Sequence, residues 1–357
     1  MKIMLHGATN MSNYGDYLFA EFFYHTLKEK GHDVEFYAHP RYGISDFFAR
    51  YLGFTPDRQN YWERVQQCDC LVFISGGYFV EPRKPGLIAE VKHYNRYMKP
   101  AAFFLRHKKP IYVLGVGAGP FENKLFSMKA RKVLNHAAVV TVRDEDSKRY
   151  CEEFGIQNDV IVTSDTALLI GDYLQQIKSD TPKFEIDEGR KMLLLHLDSN
   201  SEVKEKIQQI IAPAIARFLN TNSEYSLYIA ADGVKEKALY TEYEEMLSAY
   251  NPQKLVYDDP WVLTRQIERA DLIVTTKLHM GIVGSALGSS VISFPFVPQK
   301  TKRFYKQIGE TDRCISLKDI NQDMVLEMLE KYKDKKIQLP EELITRARTN
   351  LELLPGN

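Results

Sequence analysis

The sequence has no surplus of charge of either sign. Lys and Arg number 47, Asp and Glu 47, in 357 residues. That balance removes any global electrostatic case for a nucleic-acid partner and leaves only local basic clusters to consider. Cysteine is scarce: Cys68, Cys70, Cys151 and Cys314. Cys68 and Cys70 form C-x-C, but no second pair completes a zinc pattern, so reduced buried thiols are expected. No metal-ligand spacing appears elsewhere. No apolar run approaches the roughly 20 residues of a membrane span. The opening run KIMLH also stops short of the roughly 7–15-residue apolar core of a secretory signal. Repeats and low-complexity tracts are missing. So is the dinucleotide fingerprint: LGVGAGPF alternates glycines but does not open into a helix with the third glycine correctly spaced, which argues against NAD.

What remains is an ordinary globular composition, 44% hydrophobic and 26% charged, in a chain long enough for two domains. Short, continuous apolar runs such as DCLVFIS, PIYVLG and AVVTV alternate with helical patterns. That alternation predicts parallel sheets covered on both faces. The pattern restarts at KMLLLHL, after a polar stretch without period. The expected organisation is α/β, with two Rossmann-like doubly wound domains. Residues 1–172 form the first, 173–190 a linker, 191–335 the second, and 336–357 a terminal helix free to pack back on the first. Ligands of such sheets bind beyond the carboxyl ends of the strands. Two domains facing each other would line a shared cleft with those ends.

Six segments at strand ends carry candidate chemistry. GATNMSNYGD crowds turn formers ahead of a helix. Asp16 stands where an N-cap belongs. Alternatively, Asn13 and Asp16 present polar groups to a ligand hydroxyl, with Gly15 allowing tight geometry. In ISGGYF, Gly76 and Gly77 make either a tight turn or a close backbone approach to a ligand. Gly117 and Gly119 offer the same approach in LGVGAGPF. In VTVRDEDS, Arg143 leaves a strand just before an acidic helix start. It either pairs with Asp144 or Glu145, or recognises carboxylate or phosphate with its planar fork. In TTKLHMGIVGSALG a helix begins near His279, and its small residues let it lie close to its neighbours. Its first-turn N–H groups suit an anion, and Lys277 and His279 share that end. Lys300 leads a basic cluster with Lys302, Arg303 and Lys306, and lies nearest the preceding strand.

In this order, these segments resemble the polysaccharide pyruvyl transferase family. SNYGD is similar to the family's G-x-x-N-x-G-D loop, matching at Asn13, Gly15 and Asp16. GAGPF resembles G-x-G-P-F. VRDEDS resembles V-R-D-x-x-S, followed by the G-I of FGI and by Asp165 in SDTAL. TKLH resembles [ST]-R-L-H, with Lys277 where the family has Arg, and Lys300 aligns with a Lys after the next strand. Lys277 keeps the charge of that Arg but loses its bidentate fork. SGGYF lacks a third glycine, and FVPQK replaces the usual Tyr-Asp-Pro-Lys.

The resemblance implies a GT-B-like pair of domains facing across a cleft. It implies transfer of pyruvate from phosphoenolpyruvate onto two hydroxyls of one sugar, giving a cyclic ketal and free phosphate. No cofactor beyond that donor, no metal and no nucleic acid are implied. His279 would supply a proton or stabilise the leaving phosphate. Arg143 and Lys300 would hold the donor's anionic groups, and Asp16 with Asn13 would serve the acceptor. Gly76, Gly77, Gly117, Gly119 and Lys277 complete the expected binding set. The acceptor would be a sugar, free or lipid-linked, in the cytoplasm. The aromatic-basic stretch KRFYK is compatible with contact at the inner membrane face. On the same architecture, a GT-B glycosyltransferase using a nucleotide-sugar donor is the alternative. A non-catalytic binding protein that keeps the cleft is a third reading.

Overall fold

The computed structural model describes residues 1–9, 12–37, 44–54, 61–80, 86–122, 124–176, 189–233 and 237–356. The chain divides into two units: Met1–Thr166 with Glu341–Asn357, and Ala167–Pro340.

Unit 1 is built on seven parallel strands: β1 (Lys2–His6), β2 (Asp33–Phe36), β3 (Cys70–Phe73), β4 (Gly76–Phe79), β5 (Ile111–Ala118), β6 (Val139–Val142) and β7 (Val160–Val162). Their order is β2-β1-β3-β5-β6-β7, with β4 also on β5. The SGGYF segment is therefore not a glycine turn. β3 pairs with the first half of β5, Leu71 opposite Ile111, and β4 pairs with the second half, Gly76 opposite Val116. The two are one strand broken at Ile74 and Ser75. Connections run left from β1 to β2 and right from β3 onward, so the topological switch point lies between β1 and β3. The helices 87–106, Lys124–His136 and Glu145–Glu153 share one core, in which Met98, Phe104, Phe126, Leu134 and Cys151 meet Leu71, Phe73 and Val113.

Unit 2 repeats the scheme with β8 (Lys191–His196), β9 (Tyr225–Ala230), β10 (Gln253–Leu255), β11 (Leu272–Thr275) and β12 (Ser290–Ser293), in the order β10-β9-β8-β11-β12. Its switch point lies between β8 and β11. The core joins Leu193, Leu195, Leu272 and Val274 to Ile215, Phe218, Tyr243 and Leu329.

Several elements differ from expectation. Residues 173–176, read as linker, complete the helix Ile170–Gln176; residues 177–188 of that stretch lie outside the described residues. RCIS is no strand, since only Cys314 bridges to Ser293. Two short helices, Asp46–Tyr51 and Tyr61–Gln67, were not anticipated. The helical stretches 87–106 and 201–221 each contain a π turn, Tyr94–Met98 and Ile207–Ile211, shortly ahead of Pro100 and Pro213. Proline donates no i→i−4 bond and crowds that carbonyl, and a widened turn relieves both problems. At the second site the Gln209 carbonyl, four residues before Pro213, accepts instead from Gln322 Nε2 at 2.9 Å.

The helix Glu341–Glu352 belongs to unit 1, and one buried amide fixes it there. Asn350 Oδ1 accepts from Thr141 Oγ1 (2.6 Å) and Thr163 Oγ1 (2.8 Å). Its Nδ2 donates to Ser164 O (3.0 Å) and Thr166 Oγ1 (3.2 Å). Ser75 Oγ extends the network to Thr166 at 2.6 Å. A Cβ on Gly115, which has φ +66°, would collide with both Ser75 and Asn350, so glycine is required where β5 bulges around the amide. Asn350→Ala strands several buried polar groups at once. We expect it to cost about 3 kcal/mol, seen as an earlier urea midpoint and faster amide exchange in the helix Glu341–Glu352. Unchanged exchange there would remove the amide from its anchoring role.

Candidate functional site

At the unit 1 switch point, the loop after β1 leads into the helix Tyr14–Glu29. Asn13, not Asp16, is its N-cap: Asn13 Oδ1 accepts from Gly15 N (3.1 Å) and Asp16 N (3.4 Å). Asp16 sits at the third helical position, half-buried, where its charge suits the helix dipole. Asn10, in the same loop, lies outside the described residues. Behind the loop is an aromatic bed. Tyr78 and Tyr97 stack with centroids 5.4 Å apart, and the buried His6 at the end of β1 lies edge-on to Phe73 and bonds Tyr97 O at 2.8 Å. Burial pushes the Tyr97 and Tyr78 phenols up, and the negative charge of Asp16 adds to the effect in both. Gly77 is exposed and open, whereas Gly76, at φ +155°, is overlaid by the Tyr78 ring.

On the next strand edge, Arg143 is paired with carboxylates. Its Nη1 donates to Asp165 Oδ2 at 2.9 Å, and its Nε lies 3.9 Å from Asp144 Oδ2. The side chain is buried, with the guanidinium 3.0 Å from where a Cβ on Gly117 would stand. The partner is thus chiefly Asp165, beyond the acidic helix start. Asp144 caps the helix Glu145–Glu153 through Ser147 N (2.7 Å), and Ser147 Oγ accepts from Ala118 N (3.0 Å). Gly119, at φ +66°, is covered by the Tyr150 ring. The VRDEDS segment therefore clasps GAGPF residue by residue.

At the unit 2 switch point, the ends of β8, β9 and β11 converge. Lys277 Nζ donates to Asp232 Oδ1 at 2.6 Å, and the fully buried His196 places Nε2 3.5 Å from the same oxygen. Burial alone would raise the Asp232 pKa, but the Lys277 ammonium and His196 outweigh it and hold the carboxyl well below the ordinary carboxylate range. Thr276 Oγ1 reaches Asp198 Oδ2 at 3.5 Å. Lys277 occupies the N-cap position of the helix Leu278–Ala286 and has no acceptor with which to cap it. The Lys277 side chain therefore makes no capping bond, and His279 lies in the first turn of this helix. Gly284 lets the helix press onto Ile273 of β11 and Val291 of β12.

Lys300 is exposed in the first turn of the helix Pro298–Gln307. In the KRFYK stretch of that helix Phe304 and Tyr305 are buried, so it offers no aromatic face to a membrane. Sequence reasoning missed His196 and Asp232. The available signals were a histidine closing an otherwise apolar strand, and an Asp-Gly step straight after the wholly buried β9.

The four thiols are buried, and burial pushes Cys68 up to about 11 and Cys70, Cys151 and Cys314 up to about 12. Among the described residues, no group of three or more His, Cys, Asp or Glu is placed to hold a metal ion, and no helix is long and apolar enough to cross a membrane.

Comparison with known proteins follows the same segments. The profile of the family described as polysaccharide pyruvyl transferase matches residues 13–295. The amylovoran biosynthesis protein AmsJ of Erwinia amylovora is 27% identical over 124 residues, a stretch covering 34% of this chain and 28% of that protein. UDP-GlcNAc 2-epimerase from Methanocaldococcus jannaschii superposes with a TM-score of 0.66 at 12% identity, over 98% of each chain. The Neisseria meningitidis enzyme gives 0.64 at 13%, over 99% of each. Identities this low speak to fold alone, and the fold is GT-B-like.

The Lys277–Asp232 pair has a pH signature. A carboxyl held below its unfolded value of about 3.9 stabilises the fold above that pH and loses its contribution as pH falls through the folded value. Asp232→Asn is expected to cost roughly 3 kcal/mol at pH 7. The difference from wild type should shrink below about pH 4, measured by urea unfolding across pH. A pH-independent difference would show that the charge of Asp232 is not what matters.

Proposed function

This chain belongs to the polysaccharide pyruvyl transferase family, and we propose that it transfers the pyruvyl group of phosphoenolpyruvate onto two hydroxyls of one sugar in a polysaccharide or its precursor. The observation that carries the reading is the family match across the strand-end segments of both units, joined to the helix start that Lys277 and His279 share. Phosphoenolpyruvate brings a phosphate and a carboxylate, the two groups such a helix start and its cations receive.

In the reaction, the donor's methylene carbon gains a proton and the adjacent carbon becomes electron-poor. One sugar oxygen bonds to that carbon and gives up its proton. The second oxygen then bonds to it as the C–O bond to phosphate breaks, and its proton leaves with the phosphate, giving a ketal and inorganic phosphate. His279 supplies the proton or neutralises the departing phosphate. Lys277, oriented by Asp232, takes a donor oxygen. Arg143, held by Asp165, and Lys300 are assigned to the donor's anionic groups. Asp16 receives or orients the acceptor hydroxyl, while Asn13 holds the helix start on which Asp16 sits. Gly117 and Gly119 keep that strand end narrow beside Arg143.

The test is phosphate release from phosphoenolpyruvate against a panel of glycosides with free vicinal or 4,6-type hydroxyl pairs, with the product formed in deuterated water. Release should require a diol, and deuterium should enter the ketal methyl. His279→Ala should lower turnover by about 10²–10⁴ with an unchanged melting temperature, and Asp16→Asn should lower it while keeping the Asn13 cap intact. If the protein instead consumes a UDP- or GDP-sugar and ignores phosphoenolpyruvate, it is a glycosyltransferase and this reading fails.

A further inference from the structure

The neutral total hides a segregated distribution. Residues 86–136 hold ten Lys and Arg but only two acids, Glu90 and Glu122, a net charge of +8 in a chain of net charge zero. In unit 1 this segment supplies two helical stretches, 87–106 and Lys124–His136, side by side on one face of the sheet. They bury Met98, Ala101 and Phe104, and Phe126, Ala130 and Leu134. What they turn outward is therefore the opposite stripe: Ile88, Val91, Lys92, Lys99 and Arg106 on one, and Met128, Arg131 and Lys132 on the other. Two shallow hollows that share Leu105 and Lys132 lie at these helices, one reaching Met128 and Arg131 and the other Tyr94 and Lys129, and neither is lined by a carboxylate.

Two properties of this face are unusual together. Ile88 is 73% exposed and Met128 55%, the two most exposed large apolar side chains among the described residues. Among the described residues, the cations beside them lack carboxylate partners. On the adjoining helix Glu145–Glu153, Lys148 and Arg149 are paired with Glu152, Asp146 and Glu153. Among the described residues, no such pair involves Lys92, Lys99, Arg106, Arg131 or Lys132. Lys99 and Arg131 lie over the rings of Trp62 (5.6 Å) and Phe154 (5.8 Å) instead. Uncompensated like charges repel one another, and apolar side chains in water are a cost that burial would remove. Both penalties disappear against a surface that is anionic and has hydrocarbon just beneath it.

We propose that this helix pair is a docking face for an anionic lipid bilayer, with Lys92, Lys99, Arg106, Arg131 and Lys132 against the headgroups and Ile88, Val91 and Met128 entering the acyl boundary. A highly charged polymer such as a nucleic acid would match the cations but gain nothing from Ile88 and Met128. The inference does not depend on the proposed reaction.

Vesicle flotation of the full-length protein tests it. Wild type should float with phosphatidylglycerol-rich vesicles and not with pure phosphatidylcholine, and raising salt from low to high should weaken binding at least about tenfold. Lys92→Glu/Lys99→Glu/Arg131→Glu/Lys132→Glu should fall to the phosphatidylcholine background, at least about a hundredfold weaker. Ile88→Ser/Met128→Ser should bind anionic vesicles more weakly and lose what binding survives at high salt. All variants change exposed side chains, and a retained melting temperature confirms their fold. The proposal is overturned if wild type does not float with anionic vesicles, if the charge-reversed variant floats as well as wild type, or if a single-stranded oligonucleotide binds the face while vesicles do not.

Discussion

One amide holds unit 1 together at the place where the chain leaves it and returns. Asn350 satisfies all four of its hydrogen-bonding positions on groups from β6, from the turn after β7, and on Thr166, the last residue before the chain enters unit 2. Through Ser75 the same network reaches the break between β3 and β4. A buried polar network of this kind is worth having only when every member is satisfied, since each stranded group is costly in a low-dielectric interior. Here it fixes the carboxyl ends of four neighbouring strands relative to one another. Those are the ends from which Gly76, Gly117, Arg143 and Asp165 extend.

The family motifs in unit 1 read differently once their contacts are known. In VRDEDS the Asp caps a helix, the Ser takes a strand N–H, and the Arg binds Asp165 across the glycine that makes room for it. Asn13 likewise spends its side chain on two backbone donors. These residues pre-organise the loops. Asp16 is different: it is not the cap of its helix, and its charge acts on the stacked Tyr78 and Tyr97. Spacing alone does not separate a residue that shapes a site from one that acts in it.

Much of the fold was legible because buried parallel strands write themselves as continuous apolar runs. β8 was placed within a residue by that signal, read in KMLLLHL. β4 was not, because GGYF has only two side chains with which to show a pattern, and glycine there reads as a turn. The π turns were hidden in helices whose periodicity survives one inserted residue, although Pro100 and Pro213 marked where a regular ladder must fail. Asn350 looked like one more polar residue in a terminal helix, and nothing local distinguishes a surface asparagine from one that ties four strands. His279 and Lys277 stood out as candidates because they follow one strand. His196 and Asp232 were missed because their relation to Lys277 exists only where three strands of the sheet meet.

That missed pair changes how anion binding at unit 2 has to be understood. Lys277 was read as a cation standing in for the arginine of the family, with its charge intact and its fork lost. Its ammonium is in fact bonded to a carboxylate held firmly in its ionised form, so locally the two charges largely cancel. The pair supplies orientation more than net attraction: Asp232 fixes where Nζ points, as an arginine's planar fork would fix itself.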